Sequence, residues 1–146
     1  MSGINVRYLK KSDSAQVAPL IFRLTKNVVE PEKLQERIEA LATNLGSYQF
    51  FVAEKKIKDE WRVIGFGGLV WYQIPSKGLT AWYEEIVVDE AFERQGVATE
   101  IMKVLDALAK VLGAKQIKLT TDLAQGLYES NDFKVKEEVL MIKKYY

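Results

Sequence analysis

The stretch Tyr83-Glu84-Glu85-Ile86-Val87-Val88-Asp89-Glu90-Ala91-Phe92-Glu93-Arg94-Gln95-Gly96-Val97-Ala98 decides the fold. It reads as a buried β-branched strand, a short turn, and a glycine-containing loop that opens a helix. Val97, Ile101, Val104, Leu105, Leu108 and Leu112 then recur three or four apart, while Glu100, Lys103, Asp106 and Lys110 take the opposite face. That spacing predicts an amphipathic helix packed on a sheet, ended by Gly113. A helix entered through such a loop directs uncapped N–H groups and the positive end of its dipole at the loop, so an anion is the expected occupant. Gly96 lacks a Cβ and lets a ligand approach the backbone.

The loop is not a nucleotide fingerprint. A Walker loop requires Gly-x-x-x-x-Gly-Lys-[Ser/Thr], and a Rossmann loop requires three spaced glycines with an acidic residue about twenty positions on; the sequence has neither.

Working outward, Ile4 to Leu9 reads as a first strand. Ser12 or Asp13 can cap a helix with Val17, Leu20, Ile21 and Leu24 on one face. Pro31 can start a second helix, with Leu34, Ile38, Leu41 and Leu45 apolar and Gly46 closing it. Strands follow at Gln49 to Lys55, Arg62 to Tyr72 and Leu79 to Val88, separated by turns at Lys56 to Glu60 and Pro75 to Gly78. After the long helix come a strand at Lys115 to Thr121, a short helix near Ala124 to Ser130, and a last strand at Phe133 to Lys144. The expected class is α/β (α+β): one domain, residues 1–146, with a central, mostly antiparallel mixed sheet and flanking helices.

Composition narrows the chemistry. At 146 residues the chain can bury roughly 70% of its unfolded surface. A net charge of +1 gives no general attraction to nucleic acid or membrane. Cysteine and histidine are both absent, which excludes a disulfide framework, a Cys or His metal site, a thiolate nucleophile and an imidazole base. No apolar run approaches the roughly 18 residues needed to span a bilayer, and the N-terminus shows no signal-peptide core, so a cytoplasmic location is expected.

Taken together, the stretch resembles motif A of the GNAT family of N-acetyltransferases, whose loop reads Arg/Gln-x-x-Gly-x-Gly/Ala. The resemblance continues through Ala109-Lys110-Val111-Leu112-Gly113 and Lys115-Gln116-Ile117-Lys118-Leu119 to Leu127-Tyr128-Glu129-Ser130-Asn131-Asp132-Phe133, and covers nearly the whole chain. Glu84-Glu85-Ile86-Val87-Val88-Asp89 is similar to the Glu-Asp-Ile-Val-Val-Asp of the family's glucosamine-6-phosphate branch. The resemblance implies a GNAT-like fold, acetyl-CoA as co-substrate, no metal, and a homodimer. It also implies that the main chain of Ile86, Val87 and Val88 meets the pantetheine arm, while Arg94, Gln95, Gly96, Val97, Ala98 and Thr99 grip the pyrophosphate. Thr25, Lys143 and Lys144 resemble positions that contact a sugar phosphate. Three positions depart from the pattern: Glu93 stands at the Arg/Gln place, Ala124 at that of a cofactor-binding Asn, and Asp132 at that of a Gly.

Acetyl transfer needs a neutral amine, a polarised thioester carbonyl and a proton for the leaving thiolate. Tyr128 is the candidate acid, since a phenol is protonated at neutral pH; the other reading of Tyr128 is an aromatic packed on a short helix. Glu84 and Glu85 are candidates to hold or deprotonate the amine. Adjacent on a regular strand, they are expected on opposite faces, with at most one in the cleft. Trp71, Tyr72, Trp82 and Tyr83 can line an acceptor pocket, a dimer interface or the core. Three functions fit these residues: a direct-transfer N-acetyltransferase acting on a small-molecule, protein or polyamine amine, a non-catalytic acyl-CoA-binding module, and an interaction domain with an unrelated anion site.

Overall fold

A computed structural model describes residues 3–25, 29–121 and 124–145. In chain order the elements are β1 (Ile4–Tyr8), α1 (Ser14–Leu24), α2 (Pro31–Thr43), β2 (Tyr48–Ile57), β3 (Glu60–Ile74), β4 (Gly78–Val88), α3 (Val97–Leu112), β5 (Gln116–Lys118) and α4 (Gln125–Glu129), with single 3-10 turns at Lys11–Asp13 and Glu90–Phe92. The five strands form one sheet in the order β1-β2-β3-β4-β5, antiparallel except for the parallel pair β4 and β5. This is the mixed α/β architecture expected from the sequence.

Strand alternation explains the layering. In β2, Phe50 and Val52 point to one face and Phe51 and Ala53 to the other, and all four are buried, so both faces of the sheet need a cover. α1 and α2 supply one with Val17, Leu20, Ile21, Leu34 and Ile38. α3 supplies the other with Val97, Ile101, Met102, Leu105 and Ala109. Glycines in β3 bring α3 close: a Cβ on Gly65 would lie 2.8 Å from Val97 Cγ1, and one on Gly67 3.0 Å from Ile101 Cγ2. The N-terminus of α3 is thereby pressed against the middle of the sheet.

The β2–β3 turn is tighter than expected. It narrows to Lys58 and Asp59, both left-handed (φ 50° and 66°), the geometry that matches a two-residue hairpin to strand twist. Asp13 does not cap α1 through its side chain. Its carboxylate instead accepts from Lys10 N–H at 2.7 Å and from Arg7. α2 stops at Thr43, with Asn44 rather than Gly46 ending it; Gly46 makes room for the Tyr48 ring, which a Cβ would meet at 2.4 Å.

Two strand expectations are corrected. β5 pairs over three residues, Gln116–Lys118, not over Lys115 to Thr121. Phe133 to Lys144 forms no strand. Pairing needs an edge of matching length, and β5 offers three residues. Val139, Leu140, Met141 and Ile142 are apolar in succession and all exposed, so the run has no polar face to turn to water.

Candidate active site

β4 and β5 share the register Thr80–Gln116, Ala81–Ile117 and Trp82–Lys118, and then part. Beyond Trp82, β4 continues to Val88 with β3 as its ladder partner on one side. Asp89 N–H donates to Ile64 O at 2.7 Å, and Val87 lies opposite Phe66. Main-chain groups alternate between the two edges of a strand. Val87 therefore addresses β3, whereas Ile86 and Val88 turn their N–H and C=O toward the gap left by β5. Of the three residues expected to present backbone, two face the gap.

The ladder on the other side of β4 is irregular just beyond the parting. The β3–β4 register runs Phe66–Val87 and then Gly68–Glu84, so Glu85 and Ile86 together oppose Gly67. This is a β-bulge, and Glu85 takes a left-handed conformation (φ 49°). Tyr83 and Val87, four residues apart, lie in opposite hydrophobic clusters, which strict alternation forbids. The expectation that Glu84 and Glu85 face opposite ways rested on that alternation, and the bulge removes its basis. Electrostatically Glu85 senses both Glu84 and Arg37 of α2. Burial raises the pKa of both carboxyls above the ordinary range; Glu84 raises that of Glu85 further and Arg37 opposes it.

At the far end of the gap lies the loop into α3. Asp89 Oδ1 accepts from Ala91 N–H at 2.9 Å, and Oδ2 accepts from Arg62 Nη2 at 2.9 Å. Arg94 and Gly96 are both left-handed (φ 63° and 81°). The Arg94 conformation costs about 1 kcal/mol that a glycine would not incur. A Cβ on Gly96 would meet nothing within 4 Å, so the space in front of the helix start is open. α3 begins its hydrogen bonding with Glu100 N–H to Gly96 O at 3.0 Å, which leaves the amides of Val97, Ala98 and Thr99 without intrahelical acceptors. Gln95 Oε1 sits 3.5 Å from Lys55 Nζ. The arrangement suits a phosphate group: open backbone donors, a helix dipole and no side chain in the way.

Tyr128, on α4, is half-buried and packs edge-on to Phe133 at 5.8 Å between ring centroids, and Phe133 in turn lies 5.4 Å from Tyr83. Burial raises the pKa of the Tyr128 phenol above the ordinary value. Tyr83 is pushed up more strongly, by burial and then by Asp106 and Tyr128. Tyr128 also borders a cavity of about 390 Å³ between β5 and the C-terminal segment, with Trp82, Lys118, Phe133, Lys136 and Leu140 among its walls. Trp82 Nε1 donates to Tyr72 Oη at 2.8 Å. Tyr83 is buried and Trp71 packs beside it in the α3-side core, so two of the four aromatics serve packing.

The remaining predicted residues lie apart. Thr25 ends α1, its hydroxyl donating to Phe22 O at 3.1 Å. Lys143 and Lys144 are exposed on the C-terminal segment, with Lys143 Nζ 5.7 Å from the Tyr145 ring. Among the described residues, no hydrogen bond or ion pair joins either lysine to Thr25. The sequence reading missed Arg23, which reaches Glu93 across 70 positions, and the bulge. A signal for the bulge was present in Gly67-Gly68, since paired glycines inside a strand mark bulges and close approaches. Arg23 carries no sequence signal.

Comparison with solved structures agrees with this fold. Glucosamine-6-phosphate N-acetyltransferase from Arabidopsis thaliana superposes with a TM-score of 0.78 at 20% identity, covering 98% of each chain. A Trypanosoma brucei acetyltransferase gives 0.78 at 17% identity over 97% of this chain and 99% of its own. Ribosomal-protein-alanine N-acetyltransferase from Brucella melitensis biovar Abortus 2308 gives 0.75 at 16% identity over 98% and 99%. At such identities the likeness speaks to the fold. The acetyltransferase (GNAT) domain family matches residues 46–135, from β2 through α4, and so takes in the parted strands, the bulge and the loop into α3; the chain belongs to the GNAT family of acetyltransferases.

Proposed function

We propose that the chain transfers an acetyl group from acetyl-CoA directly to a primary amine within a ternary complex. The observation that carries this reading is the gap between β4 and β5, which runs past the Glu85–Ile86 bulge to the open helix start at Gly96. The thioester, when bound, supplies the activated acetyl group. The residues do the rest. Ile86, and Val88 through its N–H, offer main-chain groups to an extended amide-bearing arm, and an N–H on this edge polarises the acetyl carbonyl. The backbone of Gly96 to Thr99, with Arg94 and Gln95, holds the pyrophosphate. Glu84 or Glu85, with a pKa raised by burial, accepts the ammonium proton directly or through water. The amine nitrogen then bonds to the carbonyl carbon, the C–S bond breaks, and the Tyr128 hydroxyl protonates the departing sulfur. With no cysteine in the chain to carry the acetyl group, a single direct transfer is the economical route.

The resemblance of Thr25, Lys143 and Lys144 to sugar-phosphate contacts makes an amino-sugar phosphate the first acceptor to try, since a lysine can form charge-assisted bonds to phosphate. The test is thiol release from acetyl-CoA with a panel of amino sugars, polyamines, amino acids and peptides. Turnover with at least one amine is expected; no turnover together with no thermal stabilisation by acetyl-CoA would reject the proposal. A cytoplasmic location and a single domain belong to the same proposal. Among the described residues no helix is long and apolar enough to cross a membrane.

Gly96→Val is expected to raise the acetyl-CoA dissociation constant at least tenfold, about 1.4 kcal/mol. The valine must adopt a left-handed backbone that β-branched residues resist, and its side chain enters the space a phosphate would fill. Calorimetry showing unchanged affinity in a folded variant would remove this loop from the site.

The proposal includes a homodimer. Each copy carries one surplus apolar segment, Val139 to Ile142, and a β5 whose pairing with β4 covers three residues. A second copy satisfies both reciprocally, with no third component. The chain should therefore run at dimer mass in light scattering, and Leu140→Asp with Ile142→Asp should give a monomer. Monomer mass for the parent at every concentration tested would reject the dimer.

A further inference from the structure

The loop that would hold a pyrophosphate is acidic in its own sequence: Asp89, Glu90 and Glu93 against Arg94. Cations from other elements take up each carboxylate. Arg62 of β3 binds Asp89 at 2.9 Å. Arg23, in the last turn of α1, binds the other two, with Nη1 3.3 Å from Glu93 Oε1 and 3.8 Å from Glu90 Oε2. The same guanidinium donates through Nη2 to the main-chain oxygen of Val88, on the free edge of β4. One planar fork thus spans the end of β4 and both glutamates of the loop, a geometry that a lysine cannot reproduce.

We infer that Arg23 is a positioning residue for the anion loop, holding Glu93 against α1 and away from the helix start. A released Glu93 carboxylate, three residues before Gly96, could turn toward the amides of Val97 to Thr99, compete for the donors a phosphate needs, and repel it. Both ion pairs are exposed, so they add little to stability. Their effect lies in where they leave negative charge. The departure of Glu93 from the family pattern is in this way compensated from a distant part of the chain. The inference rests on the acetyl-CoA reading of the site.

The test is a double-mutant cycle on the acetyl-CoA dissociation constant at low salt. Arg23→Ala should weaken binding about tenfold, with a melting temperature near that of the parent. Glu93→Gln alone should change binding less than about threefold, because Arg23 already neutralises that carboxylate. The double variant Arg23→Ala/Glu93→Gln should recover to within about threefold of the parent, a coupling expected only of groups that act on each other. The Arg23→Ala defect should also shrink as salt is raised. A purely structural Arg23 would not be rescued by removing a surface charge. Parent-like binding by Arg23→Ala, or a double variant no better than Arg23→Ala, overturns the inference while leaving the acetyl-CoA site standing. No binding by the parent chain overturns both.

Discussion

Tyr128→Phe is expected to lower kcat for thiol release by a factor of about 10² to 10⁴, with the acetyl-CoA dissociation constant within about threefold of the parent. The substitution keeps the ring, and with it the edge-on contact to Phe133 at 5.8 Å, so packing is preserved and one hydroxyl is lost. Burial lifts the phenol above its ordinary value. An acid must be protonated to act, so a raised pKa extends the active range upward: loss of activity through Tyr128 should set in only above about pH 10, and the Phe variant should lack that alkaline limb. The acidic limb should persist in both proteins, because it reports Glu84, Glu85 and the amine. A stopped assay at saturating acetyl-CoA across the pH range makes the comparison. Turnover within about a factor of two of the parent would leave Tyr128 a packing aromatic, with the thiolate protonated from water or from the substrate ammonium.

The parts of the site that were legible in the sequence are those set by local chemistry. α3 and its entry loop follow from the apolar spacing of Val97 to Leu112 and from two glycines, and both Gly96 and Gly113 are left-handed in the structure (φ 81° and 82°). The short helix that carries Tyr128 was legible through the resemblance of Leu127 to Phe133 to a known motif. The features that escaped depend on pairing across long separations. Whether Glu84 and Glu85 alternate is settled by how β4 registers against Gly67 and Gly68, about eighteen positions earlier in the chain, and nothing in Glu84-Glu85-Ile86 alone requires a bulge. Glu93 read as a defect because its neighbours in sequence offer it no cation but Arg94; its partner comes from α1. The C-terminal segment was misread for another reason: β-branched and apolar residues favour a strand, but a strand requires an edge, and β5 supplies only three residues of one.

Asp13→Asn should cost about 3 kcal/mol of folding stability at neutral pH, the low end of the range for removing one member of a buried pair, because Arg7 keeps some access to water. Asp13 is 4% exposed. Its carboxylate accepts from Arg7 Nη1 and Nη2, both at 2.8 Å, and from Lys10 N–H at 2.7 Å. Arg7 Nε in turn donates to Glu54 Oε2 at 3.0 Å, tying β1 to β2. Burial alone would raise the Asp13 pKa; the bonds from Arg7 and Lys10 outweigh it, and the net shift is downward. A native pKa below the unfolded value of about 3.9 means that the stabilisation is complete above that value and is lost as pH falls through the native one. The parent should therefore lose stability steeply from about pH 4 downward, and the variant, starting lower, should lose less over the same interval. The asparagine also turns an amide donor toward a guanidinium that has only donors, so Arg7 is left short of an acceptor. Urea unfolding of both proteins at pH 7 and pH 3 decides the matter: a variant within about 1 kcal/mol of the parent at pH 7, with the same acid sensitivity, would show that the network contributes nothing net. The consequence reaches the site, since α1 begins next to this ion pair and carries Arg23 in its last turn. An Asp13→Asn protein that still folds should bind acetyl-CoA more weakly, because the helix that carries Arg23 has lost the anchor at its other end.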